Sequence, residues 1–302
     1  MGGDPNHSRQ PVISLQKKRL PLLNRITYLD DQVPVSIGHE KRHVTPAEFR
    51  SGLWLRYHAD VECQFIIQGK GAYFIDGHEY QFERDSFLIM FPNNPHFFKS
   101  EHNCWIEKIS LVFRRKYIAE ILGKIKFFKD MPHYIKLNQN ESSTVRMLMN
   151  KIMKEQQQRQ IFWAESMQAK LGELFILIKR ASQRPQLQLK TNPLVTQMLG
   201  WIEGHFLNSF SVAAMAAHFG YSADYLTRCF KQSSGIGIKH YILQRRIVEA
   251  KKILESRPEI KIDSIAESVG FSHFNVFNRA FKNIIGVTPS TYRGYYHPEV
   301  GN

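Results

Sequence analysis

The chain has 302 residues, of which 43% are hydrophobic and 23% are charged, a composition that excludes a wholly disordered protein and suggests two domains. Lysine and arginine (41) outnumber aspartate and glutamate (27), and the net charge of +14 favours nucleic acid or an anionic membrane surface as a partner. No apolar run approaches the roughly 20 residues that span a bilayer. The N-terminus lacks the apolar core of a secretory signal, and the three cysteines form no disulfide framework. We therefore expect a cytoplasmic protein without membrane contact.

After a tail at 1–20 that we expect to be disordered, short apolar stretches separated by turn residues predict a β-domain over 21–132. The apolar run that ends at Ile67 is broken by Gly69-Lys70-Gly71, and Asp76-Gly77 is the strongest hairpin signal in the chain. Further strand-like segments at 80–82 and 86–91 are closed by turn residues at 92–95. Several short strands joined by tight turns favour a sandwich or barrel over a sheet of alternating strands and helices.

Two apolar stripes at helical spacing predict a pair of helices within 133–182, with a bend near 155–160. The first stripe consists of Val145, Leu148, Met149, Ile152 and Met153, and the second of Met167, Leu171, Leu174, Phe175 and Ile178. These helices either cover the β-domain or form a pairing face for a second subunit. We expect the second role, which makes 133–182 the dimerisation segment of a homodimer. The polar, proline-containing stretch 183–192 is the predicted interdomain linker.

Residues 193–297 contain a weak duplication, and each copy has the features of a helix-turn-helix motif. The copies span about 211–231 and 261–282, so that Gly220-Tyr221-Ser222 corresponds to Gly270-Phe271-Ser272. In each copy a small residue, Ala216 or Ala266, allows the second helix to approach, and the glycine permits a short turn. Leu226 or Phe277 then returns an apolar side chain to the core. The stripe at 238–254 predicts a connecting helix that would hold the two second helices about one DNA turn, roughly 34 Å, apart.

This duplication resembles the C-terminal DNA-binding domain of the AraC/XylS family of bacterial transcription regulators. The second copy carries the family pattern at Ile265, Ala266, Gly270, Phe271, Phe277, Arg279, Phe281, Lys282, Gly286, Pro289, Tyr292 and Arg293. The resemblance implies that the second helix of each motif enters the major groove. By position, the DNA-contacting residues are then Asp224, Tyr225, Thr227 and Arg228 in the first motif and His273, Asn275, Asn278 and Arg279 in the second.

The chemistry of these side chains agrees with such a role. Arginine can bind guanine through two hydrogen bonds, and asparagine can bind adenine in the same way. Asp224 must either face cytosine or stay out of the groove, because phosphates repel a carboxylate. We expect Lys231 and Lys282 to contact phosphate or solvent.

The β-segment resembles the cupin-type sensor domain that many members of this family carry before the DNA-binding half. Cupin enzymes hold a metal through two histidines and a glutamate followed by a later histidine, and the matching positions here are His58, Asp60, Gln64 and His96. Two of the four are not histidine or glutamate, although Glu62 lies nearby, so we expect no metal and no cofactor. We expect a ligand pocket instead, or ordinary barrel packing at the same positions. The candidate pocket residues are Trp54, Arg56, His58, Gln64, His96, Phe98 and Trp105.

The expected fold class is multi-domain α+β, with an N-terminal cupin-like β-barrel, a helical segment, and a C-terminal all-α domain containing two helix-turn-helix motifs. The resemblance implies a ligand-responsive transcription regulator that is not an enzyme and that activates carbohydrate or small-metabolite genes. Its partners would be double-stranded operator DNA, RNA polymerase, a small-molecule effector with a sugar as the first candidate, and a second copy of the chain. Two alternatives are a metal-dependent cupin enzyme fused to a DNA-binding module and a constitutive DNA binder with an inert barrel.

Overall fold

The computed structural model describes residues 34–44, 56, 58, 60–92, 94–101, 104–121, 128, 130–186, 192–208 and 210–297. The predicted tail at 1–20 and the candidate pocket residue Trp54 lie outside the described residues. In the described part, a β-rich N-terminal half precedes a helical C-terminal half, as the sequence predicts. Among the helices described, none combines the length and the apolar character needed to cross a membrane.

The described N-terminal half contains eight antiparallel strands in two sheets, which together we call the barrel. The strands are β1 (Val35–Val44), β2 (Val61–Gln68), β3 (Gly71–Ile75), β4 (His78–Phe82), β5 (Ser86–Met90), β6 (His96–Ser100), β7 (Cys104–Phe113) and β8 (Tyr134–Lys136). The sheets have the orders β1-β7-β2-β5-β8 and β4-β3-β6. Because β8 pairs with β5, the barrel extends beyond residue 132 into the segment that was expected to be helical.

The predicted hairpin joins β3 to β4. Asp76 and Gly77 have φ values of 48° and 77°, the left-handed conformation that a two-residue type I′ turn requires. Side chains then alternate along each strand between the barrel interior and an outer face. The interior core consists of Val44, Ile66, Tyr73, Ile75, Phe82, Leu88, Met90, Ile106 and Tyr134.

Three helices follow or cover the larger sheet, namely α1 (Arg115–Ile121), α2 (Gln139–Gln158) and α3 (Trp163–Ser182). An Asn138–Glu141 capping box begins α2, and Arg159 in the left-handed conformation ends it, near the predicted bend. The stripe from Met167 to Ile178 is fully buried in one core with the outer face of the five-stranded sheet. The expectation that this stripe contacts a second subunit is therefore wrong, because the chain's own barrel covers it.

In the described part of the C-terminal half, residues 193–297, helices joined by short turns are the only regular secondary structure. Its helices are α4 (Pro193–His205), α5 (Val212–Phe219), α6 (Ala223–Ser234), α7 (Ile238–Ser256), α8 (Ile262–Ser268), α9 (Phe274–Ile285) and α10 (Pro289–Tyr296). The pairs α5–α6 and α8–α9 are the two predicted motifs. Ser211 and Ser222 cap α5 and α6 by accepting backbone N–H groups, whereas Lys261 offers α8 no such cap.

The connecting helix α7 belongs to both motifs. Its 19 residues correspond to about 28 Å. Tyr241, Ile242 and Val248 lie in the core of the first motif. Ile247, Ala250 and Leu254 lie in the core of the second. A single continuous helix packed into both cores fixes the spacing of the two motifs.

Candidate DNA-binding surface and effector site

Helices α6 and α9, which we call the recognition helices, each have one buried and one polar face. Leu226 and Phe230 anchor α6, and Phe277 and Phe281 anchor α9, all fully buried. The opposite faces and helix starts carry all ten sequence-predicted DNA-binding residues. Asn278 is half-buried, and the exposed ones are Asp224, Tyr225, Thr227, Arg228, Lys231, His273, Asn275, Arg279 and Lys282. Both helices therefore present a polar surface that can enter a major groove.

Two residues of this surface also have a local structural role. Asp224 lies in the first turn of α6, where the positive end of the helix dipole favours a carboxylate. Tyr225 stacks on Tyr221 with a centroid separation of 5.1 Å, and both rings are exposed. The dipole explains why an acidic residue is tolerated on a surface that is otherwise suited to a polyanion.

Inside the barrel, three residues form what we call the histidine–glutamate cluster: His58, Glu62 and His96. His58 Nε2 lies 2.9 Å from Glu62 Oε2, and His96 Nε2 lies 3.2 Å from the same oxygen. His58 Nδ1 donates to the carbonyl of Asp60 and His96 Nδ1 to that of Asn94, both at 2.9 Å. Backbone hydrogen bonds thus orient both imidazoles towards one carboxylate oxygen.

The electrostatics of this cluster are dominated by burial and mutual contact. Burial by itself raises the pKa of Glu62, but its close side-chain contacts with His58 and His96 outweigh this effect and hold that pKa well below its usual value. Burial lowers the pKa of His96, against the opposing influence of Glu62. The arrangement therefore favours an ionised glutamate beside a neutral His96.

Neighbouring polar groups hold the second oxygen of Glu62. Gln64 Nε2 donates to Glu62 Oε1, and Ser110 Oγ donates to Gln64 Oε1 at 2.7 Å. Arg56 Nη1 lies 3.9 Å from Glu62 Oε1, and its backbone bonds to that of His96. The carboxylate is thereby fixed with Oε2 towards the two histidines.

A buried lysine adds positive charge to the same interior. Lys108 is 2% exposed, and its Nζ lies 3.5 Å from Tyr73 Oη and 3.7 Å from Glu40 Oε2. The ammonium also lies 4.6 Å from the centroid of the Phe98 ring. The Tyr73 and Phe98 rings stack with a centroid separation of 5.4 Å. Stacked rings beside a buried cation can bind a small ligand that has both a flat apolar face and an anionic or hydroxyl group.

The structure brings together most of the sequence-predicted pocket residues. His58, Gln64, His96 and Phe98 share the interior, and Arg56 lies at its edge. Trp105 is not among them, because it lies on the outer side of β7, 48% exposed, against His43.

Sequence reasoning missed Glu62 as a member of the cluster, and it also missed Lys108 and Tyr73. The alternation that places Gln64 inside also places Glu62 inside, so this signal was present in the sequence. For Lys108, the alternation alone does not say which face of β7 is the interior.

The outer face of the smaller sheet contacts the C-terminal half directly. Ala72, Phe74 and Phe97 share a core with α4, α6 and α7, and the Phe97 ring lies 6.0 Å from that of Tyr241. Lys99 Nζ donates to the carbonyl oxygens of Gln232 and Ser233 at the end of α6, the latter at 2.7 Å. Because His96 and Phe98 face inward while Phe97 and Lys99 face outward, strand β6 touches both the barrel interior and the first recognition helix.

Comparison with known proteins agrees with this two-part architecture. Residues 51–175 match the model of the AraC-like ligand binding domain, and residues 215–295 match a helix-turn-helix domain model. The HTH-type transcriptional activator AarP of Providencia stuartii is 35% identical over 100 residues, which cover 33% of this chain and 73% of that protein. The chain belongs to the AraC family of transcription regulators.

Two further relatives show how the similarity is distributed. The Msm operon regulatory protein of Streptococcus mutans is 33% identical over 129 residues, covering 41% of this chain and 46% of that protein, less than half of its length. The transcriptional activator RhaS of an Enterobacter species is 21% identical over 262 residues, covering 85% of this chain and 93% of its own. Both halves of the chain thus have counterparts in one regulator.

For this AraC-family chain we predict that Arg279→Ala weakens binding to a specific operator by about 1–3 kcal/mol and relaxes the preference at one base pair. The reason is that an exposed arginine on α9 can make two hydrogen bonds to a guanine edge. Lys282→Ala, one turn further along, should weaken all sequences equally. A base-substitution series measured by fluorescence anisotropy distinguishes the two effects, and an unchanged operator preference in Arg279→Ala would contradict our placement of α9.

We also predict a pH dependence from Lys108. Burial lowers its pKa from 10.5 to about 8, with Arg56 and Arg42 acting in the same direction and Glu40 and Glu62 opposing it. Between those two pH values the unfolded chain holds a proton that the folded chain has released, so the free energy of unfolding rises with pH. Lys108→Met should remove about 3 kcal/mol of this rise. Urea unfolding of both proteins across this window tests it, and equal slopes would exclude the effect.

Proposed function

We propose that the protein is a ligand-responsive, sequence-specific DNA-binding transcription regulator in which the barrel binds a small effector and the C-terminal half binds operator DNA. The observation that carries this proposal is the double role of β6. An effector that contacts His96 or Phe98 touches the same strand whose Phe97 and Lys99 hold the first recognition helix. A ligand changes DNA affinity only if it binds two arrangements of the protein unequally, and this strand is a direct connection between the two sites.

The effector is a small polar molecule that carries an anionic group or several hydroxyl groups. Lys108 and Arg56 provide positive charge in and beside the interior, Gln64 and Ser110 provide hydrogen-bonding groups, and Phe98 provides a flat apolar surface. A sugar remains the first candidate, and the two cations extend the class to sugar phosphates and sugar acids. The relatives described as activators support the proposal that this chain activates genes for carbohydrate or small-metabolite use.

The remaining partners follow from this role. We propose that the protein acts in the cytoplasm as a homodimer beside RNA polymerase on double-stranded operator DNA, and that its barrel senses rather than catalyses. The dimer must use a surface other than the buried face of α3, and Ile176 on the opposite face of that helix is 41% exposed.

Selection of genomic fragments by the purified full-length chain tests the proposal. We expect a small set of enriched sites, and the genes beside them indicate which sugars and sugar derivatives to add. The correct effector should change operator affinity about 5- to 150-fold. Lys108→Met should abolish that response without changing affinity in its absence.

Other outcomes favour the alternatives. A failure to enrich any site contradicts sequence-specific regulation. A constant affinity with every compound favours the constitutive DNA binder, and turnover of a compound by the barrel favours the cupin enzyme.

A further inference from the structure

The histidine–glutamate cluster contains a conflict between hydrogen-bond acceptors. The partners of both Nδ1 atoms are carbonyl oxygens, which only accept, so the single N–H of each neutral imidazole is used there. Both Nε2 atoms then present lone pairs to Glu62 Oε2, which is also an acceptor. Three lone pairs converge on one point, and the ligand atoms of the three residues all lie within 4.8 Å of one another. A proton or a metal ion between them would relieve this conflict.

A divalent cation resolves this conflict with fewer changes than added protons do. Protons would have to charge both imidazoles in the barrel wall, and His96 is almost completely buried. A metal ion requires instead what the geometry already offers: two imidazole Nε2 atoms and one carboxylate oxygen that converge on a single point. Hydrogen bonds from each Nδ1 to a backbone carbonyl are the usual outer contacts of metal-binding histidines. Gln64 and Arg56 supply the corresponding contacts to the carboxylate oxygen that faces away.

We propose that His58, Glu62 and His96 bind one divalent transition-metal ion in the barrel interior. The sequence-based expectation of no metal rested on the positions of the cupin pattern. Glu62, which supplies the carboxylate here, lies outside that pattern. Two imidazoles and one carboxylate suit zinc and its first-row neighbours better than magnesium or calcium, which prefer oxygen ligands. Three protein ligands leave at least one coordination position for water or an oxygen atom of a bound effector. The proposal does not depend on DNA binding.

The test uses the untagged full-length chain, stripped with a chelator and titrated with Co²⁺ and then Zn²⁺ alone. We expect one ion per chain by elemental analysis, and a visible cobalt spectrum that zinc abolishes. His58→Ala and Glu62→Gln should lose the ion, and because His58 is 28% exposed its replacement should leave the fold intact, which circular dichroism checks. Gln64→Ala, which removes only an outer contact, should weaken binding about 10- to 100-fold.

A matched control lies on the outside of the same barrel. His39 Nε2 lies 3.1 Å from Glu107 Oε1, so it is also a histidine–carboxylate pair, but no second histidine joins it among the described residues. His39→Ala should bind the ion as the unchanged chain does. The proposal is overturned if the unchanged chain takes up no stoichiometric ion, if His58→Ala and Glu62→Gln both retain it, or if His39→Ala loses it equally. Operator binding measured on the same samples reports separately on the proposed regulatory function.

Discussion

Replacement of Glu203 by alanine is expected to lower the free energy of unfolding of the C-terminal half by about 3–5 kcal/mol. Glu203 on α4 accepts hydrogen bonds from Arg245 Nε at 2.7 Å and from Tyr241 Oη at 2.9 Å. Arg245 is only 5% exposed, so removal of the carboxylate leaves a buried guanidinium without its counter-ion. Burial alone would lower the pKa of Arg245, and the hydrogen bonds that Arg245 donates to Glu203 reverse that effect. Urea unfolding monitored by circular dichroism measures the loss.

Three companion variants distinguish the effect of the unpaired buried charge from other causes of the lost stability. Glu203→Gln keeps an acceptor but removes the charge, and should cost less than Glu203→Ala. The double replacement of Glu203→Ala with Arg245→Met should recover much of the stability, because it removes both members of the pair. Glu120→Ala breaks the exposed pair with Lys116 and should change stability little. If Arg245→Met fails to rescue Glu203→Ala, the loss does not arise from an unpaired arginine.

Phe175→Ala is expected to destabilise the N-terminal half by about 3–5 kcal/mol, the usual cost of emptying a buried phenylalanine site. The Phe175 ring makes edge contacts with Phe113 at 5.0 Å and Phe128 at 5.6 Å between centroids. The contact with Phe113 joins α3 to β7 of the five-stranded sheet, so the loss of the ring should loosen the helical cover of the barrel. Chemical unfolding of the full-length chain measures the change.

The neighbouring residue Ile176 provides the matched control, since it lies on the opposite, exposed face of α3. Ile176→Ala should leave the free energy of unfolding nearly unchanged, because little apolar area is removed from the core. Light scattering adds a second measurement. If Phe175→Ala dissociates a dimer at full stability, the stripe is an interface after all and our structural assignment of α3 fails.

The contact between β6 and the first motif gives the proposed regulation a specific geometry. Lys99 holds the C-terminal end of α6, and Ser233 of the same turn donates to Glu79 of β4 at 3.3 Å. An effector that shifts β6 would therefore change the position or freedom of α6 through this direct contact. If the effector acts by releasing the DNA-binding half from the barrel, it needs only to bind one of the two arrangements, contacted or released, more tightly than the other.

Elements whose determinants are close in the sequence could be predicted from it. The Asp76-Gly77 hairpin follows from two residues that tolerate positive φ, and both recognition helices follow from serine caps or turn glycines together with an apolar stripe. The polar faces of α6 and α9 could be placed to the residue, since helical periodicity relates each position to the buried Leu226 or Phe277. The absence of a side-chain cap at Lys261, directly before α8, also agrees with the sequence, because lysine is a poor N-cap residue.

Only the tertiary structure decided which partner each face meets. The periodicity of the stripe from Met167 to Ile178 defines an apolar face, but nothing local distinguishes a sheet of the same chain from a second subunit. Strand alternation likewise separates Trp105 from Lys108 without saying which of them faces the interior. Glu62 on β2 and His96 on β6 are 34 residues apart in the chain and belong to different sheets, so they meet only across the interior of the folded barrel. Local backbone preferences and periodicity are properties of short segments, whereas burial, pairing and the contact of Lys99 with α6 arise between distant segments that meet only when the chain has folded.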